Sequence, residues 1–149
     1  MGEPDLPAVS RLAAMLVRQH HRFDADRFML IEPVEQGYRW FLGTQLGNPD
    51  VVLLVAELEG AIVGYLYGAV EERDWNMLLD QHGAIHDVFV DEAARRRGVG
   101  RALLTEAFRR LEPRVPRIVL SSATANHEAQ RLFASVGFRP TMVEMTRTQ

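Results

Sequence analysis

Residues 87–104 read Asp87-Val88-Phe89-Val90-Asp91-Glu92-Ala93-Ala94-Arg95-Arg96-Arg97-Gly98-Val99-Gly100-Arg101-Ala102-Leu103-Leu104. Ile85 to Val90 is rich in β-branched and aromatic residues, which favours a strand. Beyond Gly100, apolar residues recur at Leu103, Leu104, Ala107, Phe108 and Leu111, the spacing of a helix packed on one face. Three arginines and two glycines lie between. A helix N-terminus leaves backbone N–H groups unpaired and carries the positive end of the helix dipole. Glycine there lets a bulky anion approach the backbone. Strand, basic glycine turn and helix start together describe a phosphate or pyrophosphate site.

Two common phosphate loops do not fit. A Walker loop requires Gly-Lys-Ser/Thr, and Gly100 is followed by Arg101-Ala102. The dinucleotide fingerprint needs a small residue three positions after its second glycine, where this chain has Leu103.

The rest of the chain limits the options. At 149 residues it reads as a single domain over 1–149 with a sizeable core. Its apolar fraction of 47% and charged fraction of 25% are those of a globular protein. No apolar run approaches bilayer length, so no membrane partner is expected. The acidic start, Met1-Gly2-Glu3-Pro4-Asp5, lacks a secretory h-region, and the absence of cysteine removes disulfides, thiolate metal sites and a cysteine nucleophile. A cytoplasmic location is the expectation. The net charge of −3 argues against a nucleic-acid partner, although arginines gather between Arg95 and Arg117. His20-His21 point to different helix faces with no carboxylate or cysteine at ligand spacing. They read as solvated helix-end residues, and no metal is expected.

Along the chain, Asp5-Leu6-Pro7 opens a helix whose stripe is Leu6, Val9, Leu12, Ala13, Leu16 and Val17, ending near His20. A second helix runs from Pro33 or Val34 to Leu46. Val51–Leu58 and Ala61–Val70 form a hairpin about Glu59-Gly60. A loop from Glu71 to Gly83 precedes the strand already described, and a helix spans Gly98–Leu111. A strand at Arg117–Ser122, a helix at about Glu128–Val136 with Gly137 beyond its end, and a last strand at Phe138–Arg147 complete the order. The β-α-β crossover must be parallel and right-handed. The fold class is α/β, a mixed sheet with helices on both faces.

Arg95-x-x-Gly98-x-Gly100 resembles the acyl-CoA pyrophosphate loop of the GNAT superfamily of N-acetyltransferases. Asn126-x-x-Ala129-x-x-Leu132-Phe133-x-x-x-Gly137-Phe138 is similar to the superfamily's next motif. Asp5-Leu6-Pro7-Ala8-Val9 resembles the start of its first helix, with the usual first strand missing or shortened. The resemblance implies acetyl-CoA as cosubstrate and direct acetyl transfer to an amine acceptor. It implies that backbone groups of Val88, Phe89 and Val90 pair with the pantetheine arm. N–H groups from Arg96 to Arg101, Val99 included, would hold the pyrophosphate, with the side chains of Arg95, Arg96 and Arg97 adding charge. Asn126 would contact the pantetheine or cap its helix, and Phe133 would pack at the sulfur end or in the core. Homodimers through the sheet edge or C-terminal strand are common in this superfamily.

The resemblance also places His86 where polyamine-acetyltransferase-like families have Glu and serotonin-N-acetyltransferase-like families have His. With a reference pKa of about 6.5, histidine suits a general base; a buried, hydrogen-bonded histidine is the alternative. Asp87 is expected on the opposite face of a regular strand. The superfamily often has Tyr at the position of Phe133 to protonate the thiolate; Phe cannot donate, and Tyr38, Tyr65 and Tyr67 are candidates. The implied acceptor pocket is lined by Asp24, Asp26, Glu32, Glu35, Glu71, Glu72, Asp74, Trp75 and Asp80, which suits a small cationic amine; a solvated acidic rim is the alternative. A protein amine, an acyl-CoA-binding module without turnover, and an RNA-binding protein are the competing readings.

Overall fold

A computed structural model describes residues 1–149. After a 3₁₀ turn at Glu3–Asp5 come α1 (Leu6–Phe23), α2 (Val34–Gln45), β1 (Val51–Leu58), β2 (Ala61–Glu71) and β3 (His82–Val90). A second 3₁₀ turn at Glu92–Ala94 leads into α3 (Val99–Leu111), β4 (Ile118–Leu120) and α4 (His127–Ser135). No strand precedes α1. The sheet order is β1-β2-β3-β4, antiparallel except for the parallel β3–β4 pair. Glu59 and Gly60 both have positive φ, the backbone that a two-residue hairpin turn requires.

The two sheet faces carry separate cores. Val52, Leu54, Leu66 and Ile85 pack against Leu103, Leu104, Ala107 and Leu111 of α3. Leu53, Tyr65 and Phe89 pack against Val9, Leu12 and Ala13 of α1 and Leu42 of α2. The alternation along β1 (Val52 and Leu54 one way, Leu53 the other) is the period-2 rule expressed as two layers.

Three local expectations are corrected. The segment Phe138–Arg147 is not a strand: it joins no neighbouring strand, and Met142, Val143 and Met145 are exposed. Phe138 N–H bonds to Phe133 O, and farther along the segment Glu144 pairs with Arg27. A helix ended at Ser135 and a β-type pattern beyond it are not enough for a strand when no neighbour is in register. The first helix extends to Phe23, past His20. His20 and His21 are not freely solvated: their Nδ1 atoms lie 2.9 Å and 2.8 Å from Leu16 O and Phe28 O. His20 also stacks edge-on against Phe23 and Phe28, which folds the chain back after α1.

Candidate active site

β3 loses its outer partner halfway along its length. It pairs with β4 only from Gly83 to Ile85, while on its other edge it follows β2 to Val90. The register steps between Tyr67 and Gly68, which leaves His86 unpaired as a bulge. A bulge shifts the alternation by one residue. Before it, His82, Ala84 and His86 share the face covered by α1 and α2; after it, Asp87 and Phe89 take that same face. His86 and Asp87 therefore point the same way, contrary to the regular-strand expectation.

The bulge also sets which backbone groups face the open edge. Asp91 N–H donates to Val63 O of β2 at 2.8 Å. By alternation Phe89 turns its peptide groups to β2, where it is the partner of Tyr65. Val88 and Val90 turn theirs outward. Of the three residues expected to pair with an extended arm, Val88 and Val90 have the right direction, and Phe89 instead lends its ring to the α1 core.

That open edge leads to the N-terminus of α3. Gly98, the N-cap, has φ of +80° and no side-chain cap. The first intrahelical bond is Ala102 N–H to Gly98 O at 3.0 Å, so the N–H groups of Val99, Gly100 and Arg101 have no helical carbonyl to bond. A cavity of about 230 Å³ lies over them, bordered by Val90, Arg96, Gly98, Gly100, Arg101 and Leu132. A Cβ on Gly100 would stand 2.9 Å from Leu132 Cδ2, so the second glycine keeps α3 and α4 close.

The arginines divide by role. Arg95 turns back: its Nε donates to Val90 O at 3.0 Å and its guanidinium lies 5.5 Å over the Phe89 ring. It clips the turn to the strand. Arg101 donates to Ser135 Oγ at 2.8 Å. Arg96, with φ of +61°, and Arg97 are exposed and form no ion pair. They are the free cations of the turn. Asn126 Oδ1 accepts from Ala129 N–H at 3.2 Å, so it caps α4. Phe133 is 7% exposed and meets Phe138 edge-on inside the core.

Around the bulge, His86 Nε2 lies 2.5 Å from Glu71 Oε1, and its ring stacks on Tyr67 with 5.0 Å between centroids. Asp87 is half-buried: Tyr65 donates to its Oδ2 at 3.0 Å, and the Tyr38 phenol faces the same carboxylate. Burial pushes the Asp87 carboxyl above the usual range, and the two phenols pull it back. Burial, then the Asp87 charge, pushes both phenols up, so they act as fixed donors. Tyr67 is also raised, by burial first and then by Glu71 and Asp87. It is the tyrosine against His86, while Tyr38 and Tyr65 serve Asp87.

Most of the acids expected to line an acceptor pocket are already engaged. Asp74 Oδ1 accepts from the N–H groups of Asn76 and Met77, Asp80 pairs with Arg73, and Glu32 pairs with Arg18. Asp24 Oδ1 accepts from Asp26 and Arg27 N–H. Glu71, placed by sequence only in an acidic rim, instead contacts His86. Nothing local in the sequence marks that pair, because 15 positions separate them.

The open edge of β3 thus leads to an uncapped, glycine-bordered helix N-terminus, with His86 at the bulge. Residues 14–138 match the model of the Acetyltransferase (GNAT) family, and the chain belongs to that family. It is 26% identical over 137 residues to an N-alpha-acetyltransferase of Sulfurisphaera tokodaii, an alignment spanning 85% of this chain and 81% of the relative. A mutant of the BH1408 protein from Bacillus halodurans superposes with a TM-score of 0.87 at 22% identity, over 100% of this chain and 96% of that one. An aminoglycoside N-acetyltransferase in complex with CoA gives a TM-score of 0.63 at 19% identity, over 76% and 90% of the two chains. No helix is long and apolar enough to cross a membrane.

Proposed function

We propose that the protein transfers the acetyl group of acetyl-CoA directly to a primary amine of a small molecule, with His86 as general base. The observation that carries this is the placement of His86. It stands where the open edge of β3 begins, with Nε2 held by Glu71 and Tyr67 against its ring. Val88 and Val90 pair with the pantetheine arm, and the N–H groups of Val99, Gly100 and Arg101, with Arg96 and Arg97, hold the pyrophosphate. His86 Nδ1 takes the proton from the acceptor ammonium.

A second acceptor class is an α-amino group, on an amino acid or a peptide N-terminus. Similarity to the N-alpha-acetyltransferase of Sulfurisphaera tokodaii favours it, and so does proton affinity. An α-ammonium (about 7.7–8.0) gives up its proton more readily than an alkylammonium (about 10.4). A homodimer in the cytoplasm completes the reading: the apolar side chains of Met142, Val143 and Met145 and the bare outer edge of β4 are the surfaces that a second copy would cover.

Thiol release from acetyl-CoA across a panel of alkylamines, aminoglycosides, amino acids and peptides tests this. Release on some amine, lost about 10²–10⁴-fold in His86→Ala, is the expected result. Thermal stabilisation by acetyl-CoA without release on any amine would replace the transferase with a binding module.

A further inference from the structure

A cavity larger than the one over the α3 N-terminus, about 370 Å³, lies between the second half of α1 and the end of β3. That is within the size range of small-molecule sites. Met15, Phe23 and buried Phe89 supply its apolar lining, and Arg18, Arg22 and Arg95 bring three guanidinium groups to it. Glu92 is the one acid on its border. Arg18 pairs with Glu32, and Arg95 stands 3.9 Å from Glu128, whereas Arg22 is exposed and has no acid partner.

The charge is gathered by one helix face. Met15, Arg18, Gln19 and Arg22 recur at i, i+3, i+4 and i+7, a stripe of α1 separate from the Val9, Leu12 and Ala13 stripe that enters the core. Two arginines at i, i+4 repel each other and disfavour a helix slightly, and Arg95 adds a third cation from across the cavity. A carboxylate seated among them relieves that repulsion, and a planar guanidinium fork holds it by two hydrogen bonds.

The cavity's position says whose carboxylate this is. Phe89 lies on the face of β3 from which His86 and Asp87 also project, so the cavity and the histidine share that face. The anion cradle for CoA is on the other side of Arg95, against Leu132 of α4. The α1 side is left to the acceptor. Three strand positions separate His86 from Phe89, about 10 Å at about 3.3 Å per residue. An α-amino acid carries its amine and carboxylate on one carbon and cannot reach both places. An extended peptide acid of about three residues spans the distance, and so does an ω-amino acid with a chain of that length. We propose that the cavity is an anion subsite for the acceptor, selecting primary amines that carry a carboxylate about 10 Å from the nitrogen. The inference rests on the transferase reading, with the acetyl group delivered beside His86.

The probes are 8-aminooctanoate and its uncharged counterpart 8-aminooctanamide, which differ only in the carboxylate. In ligand-observed NMR titrations of the CoA-bound protein, wild type is expected to bind the acid about tenfold more tightly than the amide. Arg22→Gln, at an exposed position with no ion pair to lose, should erase that preference. In thiol-release assays the same substitution should raise KM for the acid about tenfold, with kcat and the KM values for the amide and acetyl-CoA unchanged. Equal affinity of wild type for the two compounds, or a preference that survives in Arg22→Gln, overturns the subsite even where amines are acetylated. A rise confined to the KM for acetyl-CoA gives the cavity to a CoA phosphate and overturns it as well. Acid-selective binding with no thiol release from any amine supports the anion site itself and refutes the transferase reading that makes its ligand an acceptor.

Discussion

His86 and Asp87 are adjacent in sequence and project from the same face of β3, one to Glu71 at 2.5 Å and the other to Tyr65 at 3.0 Å. A register step opposite Tyr67 and Gly68 makes this possible. Gly68 contributes to it: a Cβ there would lie 2.8 Å from Ala84 O, closer than any side chain allows. The step also reverses the outward-facing peptide groups, so one irregularity positions both the histidine and the open edge. The half-buried Asp87 carboxylate with its two phenols anchors the bulge from below.

That burial has a pH signature. The Asp87 carboxyl is lifted above its ordinary value of 3.8, chiefly by desolvation. A group raised in the folded state contributes stability that is full below the unfolded value and is lost as pH rises through the folded one. Asp87→Asn keeps an oxygen acceptor and removes the charge. Its melting temperature relative to wild type is expected to be higher at pH 7 than at pH 3.5. The reverse trend in thermal melts would mean that the tyrosine hydrogen bonds outweigh the desolvation.

The arginines of the turn should separate in two assays. Arg95→Ala removes the bond to Val90 O and the contact over Phe89, a loss of about 1–3 kcal/mol in denaturant unfolding. Arg97→Ala touches neither and should unfold like wild type. It is Arg97→Ala that should weaken acetyl-CoA binding by about tenfold through a lost charge-assisted contact, measured by calorimetry. Equal effects of both substitutions on stability would contradict the division.

Much of the fold was legible because its determinants are local. The hairpin at Glu59-Gly60, the alternation in β1, the stripe of α3 and the cap at Asn126 all lie within a few residues of what they control. The loop around Gly98 was legible for the same reason. What escaped depends on register or on distant partners. The pattern at 138–147 resembles a strand, but pairing needs a neighbour that its sequence cannot supply. Arg95 reads like its two neighbours, and only the folded turn shows that it bends back to Val90. Glu71 could be placed in a loop rim but not against His86, because a bulge 15 residues away sets that contact.

The C-terminal segment carries a prediction of its own. Residues 139–149 form no backbone pairs, and the exposed Arg27–Glu144 ion pair is what links them back to the body. Exposed pairs contribute little to stability. Deleting residues 140–149 should therefore leave the melting temperature of an isolated protomer nearly unchanged. If a second copy covers Met142, Val143 and Met145, the full chain will scatter light as a dimer and the deletion as a monomer. A full chain that remains monomeric at micromolar concentration rejects this interface.

Gly98 and Gly100 are two positions apart and are glycine for different reasons, which a mutant cycle can separate. At Gly98 the backbone is left-handed, and a Cβ would meet nothing within 4 Å. Alanine there costs about 1–2 kcal/mol through conformation alone. At Gly100 a Cβ would meet Leu132 Cδ2 at 2.9 Å, the end of a flexible side chain that can shift at a cost of about 0.5–1.5 kcal/mol. Alanine's better helix propensity, up to about 1 kcal/mol, works the other way. Gly100→Ala is thus expected near neutral in wild type and stabilising in a Leu132→Ala background, where the contact is gone. Gly98→Ala should cost the same in both backgrounds, because Leu132 has no part in its strain. Denaturant unfolding of the two cycles measures both coupling energies, and coupling at Gly98 as large as at Gly100 would show that the first glycine, too, is held by packing.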